Sequence, residues 1–373
     1  MRNKNRYENH TSFILVILLI LICSCKKNDD EILQPVVYSA ISAGDGYSIA
    51  LKTDGTLWTW GYNADGQLGD GTRTDKSKPV LIGTDYSMIF AGSRHVLALK
   101  KNGTLWAWGS NGFGQIGDAT TADKITPTQI GSDYIAVAAG GEHSIGLKAN
   151  GSLWLWGHNH KGQLGDGTKI DKHEPVMLGT EYAAISAGLN HSLGLKKDAS
   201  LWTWGANNSG QLGDGTTIDK AAPVNIGNGY ATIEASLYYS SFALKTDGTL
   251  WAWGSNSGLL GDGTKVDKST AVKIGSGYTN VSGGGAHALA VKSDATLFVW
   301  GDNTYGQLGF STTGVTITPV QIGLDYLTTS AGASFSLAIK KDGTLWAWGN
   351  NHYGQLGDGS TVDKKIPVLI GPN

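Results

Sequence analysis

Cysteine is nearly absent from this chain of 373 residues: there are two, Cys23 and Cys25, both close to the start. The remainder can form no disulfide framework and no thiolate metal cluster, so packing must hold it together. Charge is scarce as well. Asp, Glu, Lys and Arg make up 16% of residues, and the formal net charge is −2. A nucleic-acid binder ordinarily carries a basic domain or stripe; none is visible, so nucleic acid is not expected as a partner. Long apolar runs are missing except at residues 13–22, about half of what a helix needs to cross a bilayer. Catalytic signatures are missing too: no Gly-x-Ser-x-Gly elbow, no His-Glu-x-x-His and no phosphate loop. The chain reads as a non-enzyme that needs no cofactor and no metal.

The short apolar run has another use. Arg2, Lys4 and Arg6 precede it and Ile22-Cys23-Ser24-Cys25 follows it, the layout of a secretory signal. The last four residues resemble the lipobox of bacterial lipoproteins, in which a small residue precedes an acylated cysteine. Ser24 makes Cys25 the modified residue, since Ile22 before Cys23 is too bulky for cleavage. Residues 1–24 are thus expected to be a lipoprotein signal peptide and 25–36 a charged tether. The tether, Lys26-Lys27-Asn28-Asp29-Asp30-Glu31, resembles that of surface lipoproteins of Bacteroidetes. These features imply an extracytoplasmic protein held by its lipid at the outer membrane or cell surface of a bacterium.

What is abundant is glycine, 54 residues, and tryptophan, 13 residues, and both are periodic. Trp60, Trp108, Trp156, Trp204, Trp253, Trp300 and Trp348 each precede glycine at intervals of 47–49 residues. Seven copies of one unit mean a repeat architecture. In the first copy Ile41-Ser42-Ala43-Gly44 reads as a short strand and Tyr47 to Lys52 alternates as a second. Asp54-Gly55 supplies the positive φ of a tight hairpin. Leu57-Trp58-Thr59-Trp60 is a third strand, with both tryptophans on one face and expected in the core. After a long loop, Pro79-Val80-Leu81-Ile82 is a fourth, its leading proline suited to an edge. Four antiparallel strands in each of seven units predict an all-β fold, a seven-bladed β-propeller over residues 37–373. Which strand closes the ring is open, and residues 35–37 could take part.

The pattern Ala-Gly-x-x-His-Ser, then Asp-Gly, then Trp-x-Trp-Gly-x-Asn-x-x-Gly-Gln-Leu-Gly resembles the regulator of chromosome condensation repeat family, over residues 37 to 373. The cleanest copies are residues 139–144 and 187–192. Copy five departs with Ser236-Leu237-Tyr238-Tyr239-Ser240-Ser241, one residue longer. The resemblance implies a seven-bladed ring and an interaction role. The founding member is a guanine-nucleotide exchange factor with an extra hairpin, for which units of 47–49 residues leave no room. Other relatives inhibit secreted β-lactamases or sense ultraviolet light, the latter through repeats with a tryptophan that these turns lack.

Two repeated elements could suggest metal. His95, His143, His191 and His287 share one repeat position, but Tyr47, Tyr239 and Phe335 are read at the same place, which favours aromatic packing over ligation. Paired aspartates recur, as Asp70/Asp75 and Asp166/Asp171, yet two acids per loop are few for calcium and suit turn capping better.

Variation between copies points to the working end. The turn between second and third strands hardly changes, as in Asp54-Gly55 and Asn102-Gly103. The first-to-second turn does change (Asp45-Gly46, Ser93-Arg94, Gly141-Glu142, Leu189-Asn190, Leu237-Tyr238), and so does the loop after Trp-Gly. In an up-and-down sheet these two variable loops share one end of the disc. Tyr62, Phe113, His160, Tyr238, Tyr305 and Tyr353 lie there and form the candidate binding face for an unidentified protein or glycan.

Overall fold

The computed structural model describes residues 37–371, and every regular element in them is a strand. The twenty-eight strands form seven four-stranded sheets, each built of four consecutive strands. Blade 1 is β1 (Tyr38–Ala43), β2 (Tyr47–Lys52), β3 (Leu57–Gly61) and β4 (Lys76–Gly83), antiparallel throughout. The expected seven-bladed β-propeller is the fold found. The first strands surround a central channel of about 390 Å³, and the fourth strands form the outer edges.

No strand crosses between blades among the described residues, so closure is not a strand exchange. Instead Tyr38 N–H donates to Gly343 O at 3.0 Å, and Ala43 N–H to Ser330 Oγ at 2.9 Å. The seam also shares a core, in which Ala43, Ala50 and Trp60 of blade 1 meet Phe335, Leu337 and Leu356 of blade 7. The fourth strand starts earlier than the sequence suggested, at Lys76, which places Pro79 in its interior. An outermost strand tolerates this because one row of its N–H groups has no partner strand.

The two aromatic residues of each third strand, Trp and Trp except for Phe298 and Trp300 in blade 6, do different things. The second of each pair is fully buried, and its indole N–H donates to the preceding blade: Trp60 to Gln355 O, Trp108 to Gln67 O, Trp156 to Gln115 O, at 2.8–3.0 Å. The first is only half-buried, contrary to the core reading. Its N–H donates locally, Trp58 to Thr56 Oγ1 at 2.9 Å, and a lysine lies on its ring, Lys52 Nζ being 3.9 Å from the Trp58 centroid. The same lysine faces a tyrosine, Tyr38, and the Tyr–Lys–aromatic sandwich recurs in all seven blades, with Phe298 as the aromatic in blade 6. Burying a tryptophan removes about 150–250 Å² from water, or roughly 4–6 kcal/mol as an upper bound.

The repeated histidines are structural links between blades. The Nε2 atoms of His95, His143, His191 and His287 lie 2.9–3.0 Å from Ser144, Ser192, Ser241 and Ser336 of the following blade. Each serine in turn donates to a loop carbonyl, as Ser144 does to Gln115 O. The serine therefore accepts from the imidazole, which fixes a neutral Nε2–H tautomer. In copy five this position is held by Ser240, not Tyr239 as the sequence suggested, because Ser240 pairs with Gly254 as His95 pairs with Gly109. Glycine at the preceding Ala-Gly is needed for a steric reason. A Cβ at Gly44, Gly92, Gly140, Gly188, Gly284 or Gly332 would overlap the ring of the same blade. Blade 5 has no ring there, and it alone carries a side chain at that place, Ser236.

The paired aspartates organise the long loops around one buried asparagine. Asn63 Nδ2 donates to Asp70 Oδ1, Thr72 O and Thr74 O, its N–H donates to Asp75 Oδ1, and its Oδ1 accepts Leu68 N–H. Lys76 pairs with Asp70 at 3.2 Å. Among the described residues no three His, Cys, Asp or Glu side chains converge on a metal-sized site.

Burial pushes the imidazoles of His95, His191 and His287 down to about 4 and that of His143 to about 3. The folded chain therefore holds them neutral while the unfolded chain takes up protons near pH 6.5. Stability is complete above about pH 6.5 and falls as the pH drops towards 4. Replacing His287→Phe, the residue blade 7 uses, should cost about 1 kcal/mol at pH 7 for the lost bond to Ser336. It should also flatten the decline of melting temperature between pH 7 and 4.5. An unchanged slope in thermal melts would show that His287 is not proton-linked to folding.

Candidate functional site

The two variable loops of every blade lie at one end, tied by one backbone bond. The residue after Trp-Gly donates to the first-to-second turn: Tyr62 N–H to Gly46 O, Ser110 to Arg94 O, His158 to Glu142 O, at 2.9 Å each. The turns are also stitched to one another around the channel mouth. Asp45 N–H donates to Ser93 O, Ser93 to Gly140 O, Gly141 to Gly188 O, Leu189 to Tyr238 O, Leu237 to Gly283 O and Gly285 to Gly332 O, at 3.0–3.3 Å. These bonds use only main-chain atoms, so the side chains are free to differ.

Blade 5 shapes the mouth. Its extra residue sends Leu237 down into the channel wall and Tyr238 across the opening towards blades 1 to 4. Tyr238 packs close on Gly285, where a Cβ would lie 2.9 Å from its ring. The result is a cavity of about 420 Å³, lined by Asp45, Arg94, Glu142, Asn190 and Tyr238. A smaller one of about 170 Å³ adjoins it over blades 6, 7 and 1, lined by Tyr305, Asn350, His352 and Tyr353, and Asp45 borders both.

The predicted aromatic residues fall into three groups. Tyr238 belongs to the mouth cavity. Tyr305 and Tyr353, 36% and 45% exposed, line the smaller one, with Tyr305 edge-on to His352 at 6.0 Å. Tyr62 is half-buried and supports Tyr353, their centroids 4.8 Å apart. Phe113 and His160 do not touch the cavities directly but meet through His158, whose ring stacks between theirs at 4.1 and 4.3 Å.

Sequence reading missed the charged lining. Arg94 pairs with Asp65 at 3.5 Å, and its positive charge opposes the desolvation that raises the Asp45 carboxyl. Glu142 lies 3.2 Å from His158 Nδ1, and His158 Nε2 lies 2.8 Å from His160 Nδ1. The signal was present, because Asp45, Arg94, Glu142 and Asn190 all occupy positions that vary between copies. Gln67 shows the cost of such variation. Its Nε2 is buried without a partner, since Tyr62 stands where Ser110 gives Gln115 an acceptor. Below the mouth, burial pushes Glu234 up to about 8 against a hydrogen bond from Gly283. It takes the place of Ser42, Ser186, Ser282 and Ser330 in other blades.

The opposite end is committed to its own structure. Asp54 accepts Thr56 N–H and Oγ1–H at 2.8 and 2.7 Å, and the lysines lie on aromatic faces.

The His158 ring, whose Nδ1 lies 3.2 Å away, holds the Glu142 carboxyl below the ordinary carboxylate range. In His158→Gln that contact is lost, so Glu142 should titrate at higher pH, followed by carbonyl NMR. An unmoved midpoint would mean that the contact carries no charge coupling.

The RCC1-like domain family matches this chain over residues 24–273 and again over 132–372. No curated protein matches. Among solved structures, human WBSCR16 is 22% identical with a TM-score of 0.74, covering 85% of this chain and 94% of its own. Yeast RCC1 (Prp20) bound to Kap60 is 19% identical with a TM-score of 0.78, covering 93% and 91%. Prp20p from Saccharomyces cerevisiae, described with its binding to Gsp1p and histones, is 21% identical with a TM-score of 0.75, covering 87% and 88%. With the family matched from residue 24 to residue 372 and seven four-stranded blades in a ring, the chain belongs to the RCC1-like domain family.

Proposed function

We propose that this chain is a non-catalytic binding module, anchored by lipid on the extracytoplasmic side of a bacterial membrane, whose variable end contacts a protein or glycan. One observation carries the reading. The cavity at the uniform end, about 470 Å³, is walled by the repeated Tyr182, Lys196 and Trp202, whereas the cavities at the variable end are lined by residues that differ between blades, with exposed rings that packing does not require. Aromatic side chains with that freedom are the usual anchors of an interface. The yeast relative was solved with a protein partner, Kap60, which supports a protein ligand for this fold. Anchoring rests on Ser24-Cys25 after the basic start and apolar run; these residues lie outside those described.

The anchor is tested by labelling with palmitate in a bacterial host: the wild-type chain should take up label and Cys25→Ser should not. Equal labelling removes the lipid from the proposal. For the face, ligands captured by the full chain from cell-surface extracts or a glycan array are titrated against variants. Tyr305→Ala and Tyr353→Ala should each weaken binding by more than about 1 kcal/mol, with folding intact by near-ultraviolet circular dichroism. Lys101→Ala and Lys341→Ala, at the uniform end, should cost little. The reverse pattern would place the site on the other face.

A further inference from the structure

We propose that the mouth cavity receives a basic side chain, the ammonium of a lysine or the guanidinium of an arginine, from a protein partner. This rests on the reading of the variable end as a binding face and names what it binds.

The carboxylate of Asp45 is the central observation. It is half-buried, borders both cavities, and has no hydrogen-bond or ion-pair partner among the described residues. Its own N–H is spent on Ser93 O, which holds the residue in place while leaving the side chain unsatisfied. Partly enclosed carboxylates are normally paired, because losing water without gaining a partner is costly. Desolvation accordingly lifts the Asp45 carboxyl above its ordinary range.

The surroundings select the sign of the missing partner. Asp45 and Glu142 both line the cavity, and Asp65 lies just outside it. Glu142 already faces His158 and Asp65 faces Arg94, so Asp45 is the carboxylate of this wall left without a contacting cation. An entering cation would restore the balance. Tyr238 adds an aromatic ring in the same wall, and a cation beside such a ring gains further. Seven lysine–aromatic pairs at the uniform end show that this chain uses the contact already.

The shape argues for a side chain rather than a bare ion. A cavity of about 420 Å³ far exceeds one ion, and no three acidic or histidine groups converge in it. The methylene stem of a lysine or arginine would lie along Leu189 while its head reaches Asp45, the usual division of such side chains. Asn190 and Ser110 remain as neutral hydrogen-bonding groups for the adjoining backbone of the partner.

The test titrates the full chain at low salt with four probes: the peptides acetyl-Gly-Lys-Gly-amide and acetyl-Gly-Arg-Gly-amide, the first peptide acetylated on its lysine, and methyl glucoside. At least one basic peptide should bind, and Asp45→Asn should weaken it about tenfold, equivalent to about 1.4 kcal/mol. Tyr238→Leu should weaken it as well, and lysine acetylation should abolish it. The substituted side chains line the open cavity and belong to no core cluster, and Glu142→Gln provides a second carboxylate variant if Asp45→Asn folds poorly. Binding of the acetylated peptide as tight as that of the parent, or no loss in either carboxylate variant, overturns the proposal. So does binding of the sugar alone, which would make the mouth a glycan site. If Tyr305→Ala and Tyr353→Ala abolish capture of a surface ligand while Asp45→Asn leaves it unchanged, the basic side chain is wrong and the binding face stands. If none of these variants affects capture, both fail.

Discussion

The indole N–H of the second tryptophan is the contact on which the ring depends. It donates to a carbonyl in the long loop of the preceding blade, and its ring leaves no room for a Cβ on the second glycine of that loop's Gly-Gln-Leu-Gly run. Gly69 beneath Trp108 and Gly117 beneath Trp156 repeat this arrangement. One interaction therefore ties a third strand, a loop and the next blade together, and it explains why tryptophan and glycine recur in step. In blade 6 the carbonyl belongs to Leu259 and the bond persists at 2.6 Å, so the identity of the accepting residue is immaterial. A backbone acceptor is what lets the unit vary by a residue without breaking the ring.

The histidines follow a second rule that operates between neighbours. Every histidine of the repeated position faces a serine of the next blade. Where the next blade offers Val96, the ring is Tyr47, whose hydroxyl reaches past to Gly92 O and His95 O at 3.0 and 2.8 Å. Where it offers Ala288, the ring is lost and Ser240 bonds Ser255 O instead. A buried polar group must find a partner, so the residue on one blade answers the residue on the next. Blade 7 departs from the rule: it carries Phe335 although the next blade offers Ser48, whose hydroxyl donates to Gln355 O.

The blades, their strand order and their hairpins were legible because the same backbone demand is written seven times. Trp-Gly and Asp-Gly mark positive φ and close approach wherever they occur; Ala119, Ala199 and Ala295 take the left-handed conformation where alanine replaces the glycine of Asp-Gly. Other features were not legible for stated reasons. The position of the extra residue in copy five is ambiguous in sequence, since Tyr239 and Ser240 fit equally until the pairing of Ser240 with Gly254 decides. Half-burial of the first tryptophans depends on Lys52 and its equivalents lying over the rings, a contact between strands that alternation does not reveal. At the variable end, choosing aromatic residues found Tyr238, Tyr305 and Tyr353 but passed over the charges. Asp45, Arg94 and Glu142 come from three different blades, and only the ring brings them to one opening.

Repetition and specificity are reconciled by dividing the work between backbone and side chain. Around the mouth the turns are joined through main-chain atoms, so Asp45, Arg94, Glu142 and Tyr238 differ without disturbing the joints. At the opposite end the side chains themselves make the joints, through Asp54, Thr56, Lys52 and their copies, and those residues scarcely change. A seven-fold ring by itself would present seven equal pockets and favour no ligand. Blade 5 breaks the equality. By giving up its histidine it frees the turn to lengthen, and the longer turn carries Tyr238 over the mouth against Gly285. The loss of one buried ring and the gain of an asymmetric cavity are thus two consequences of the same local change.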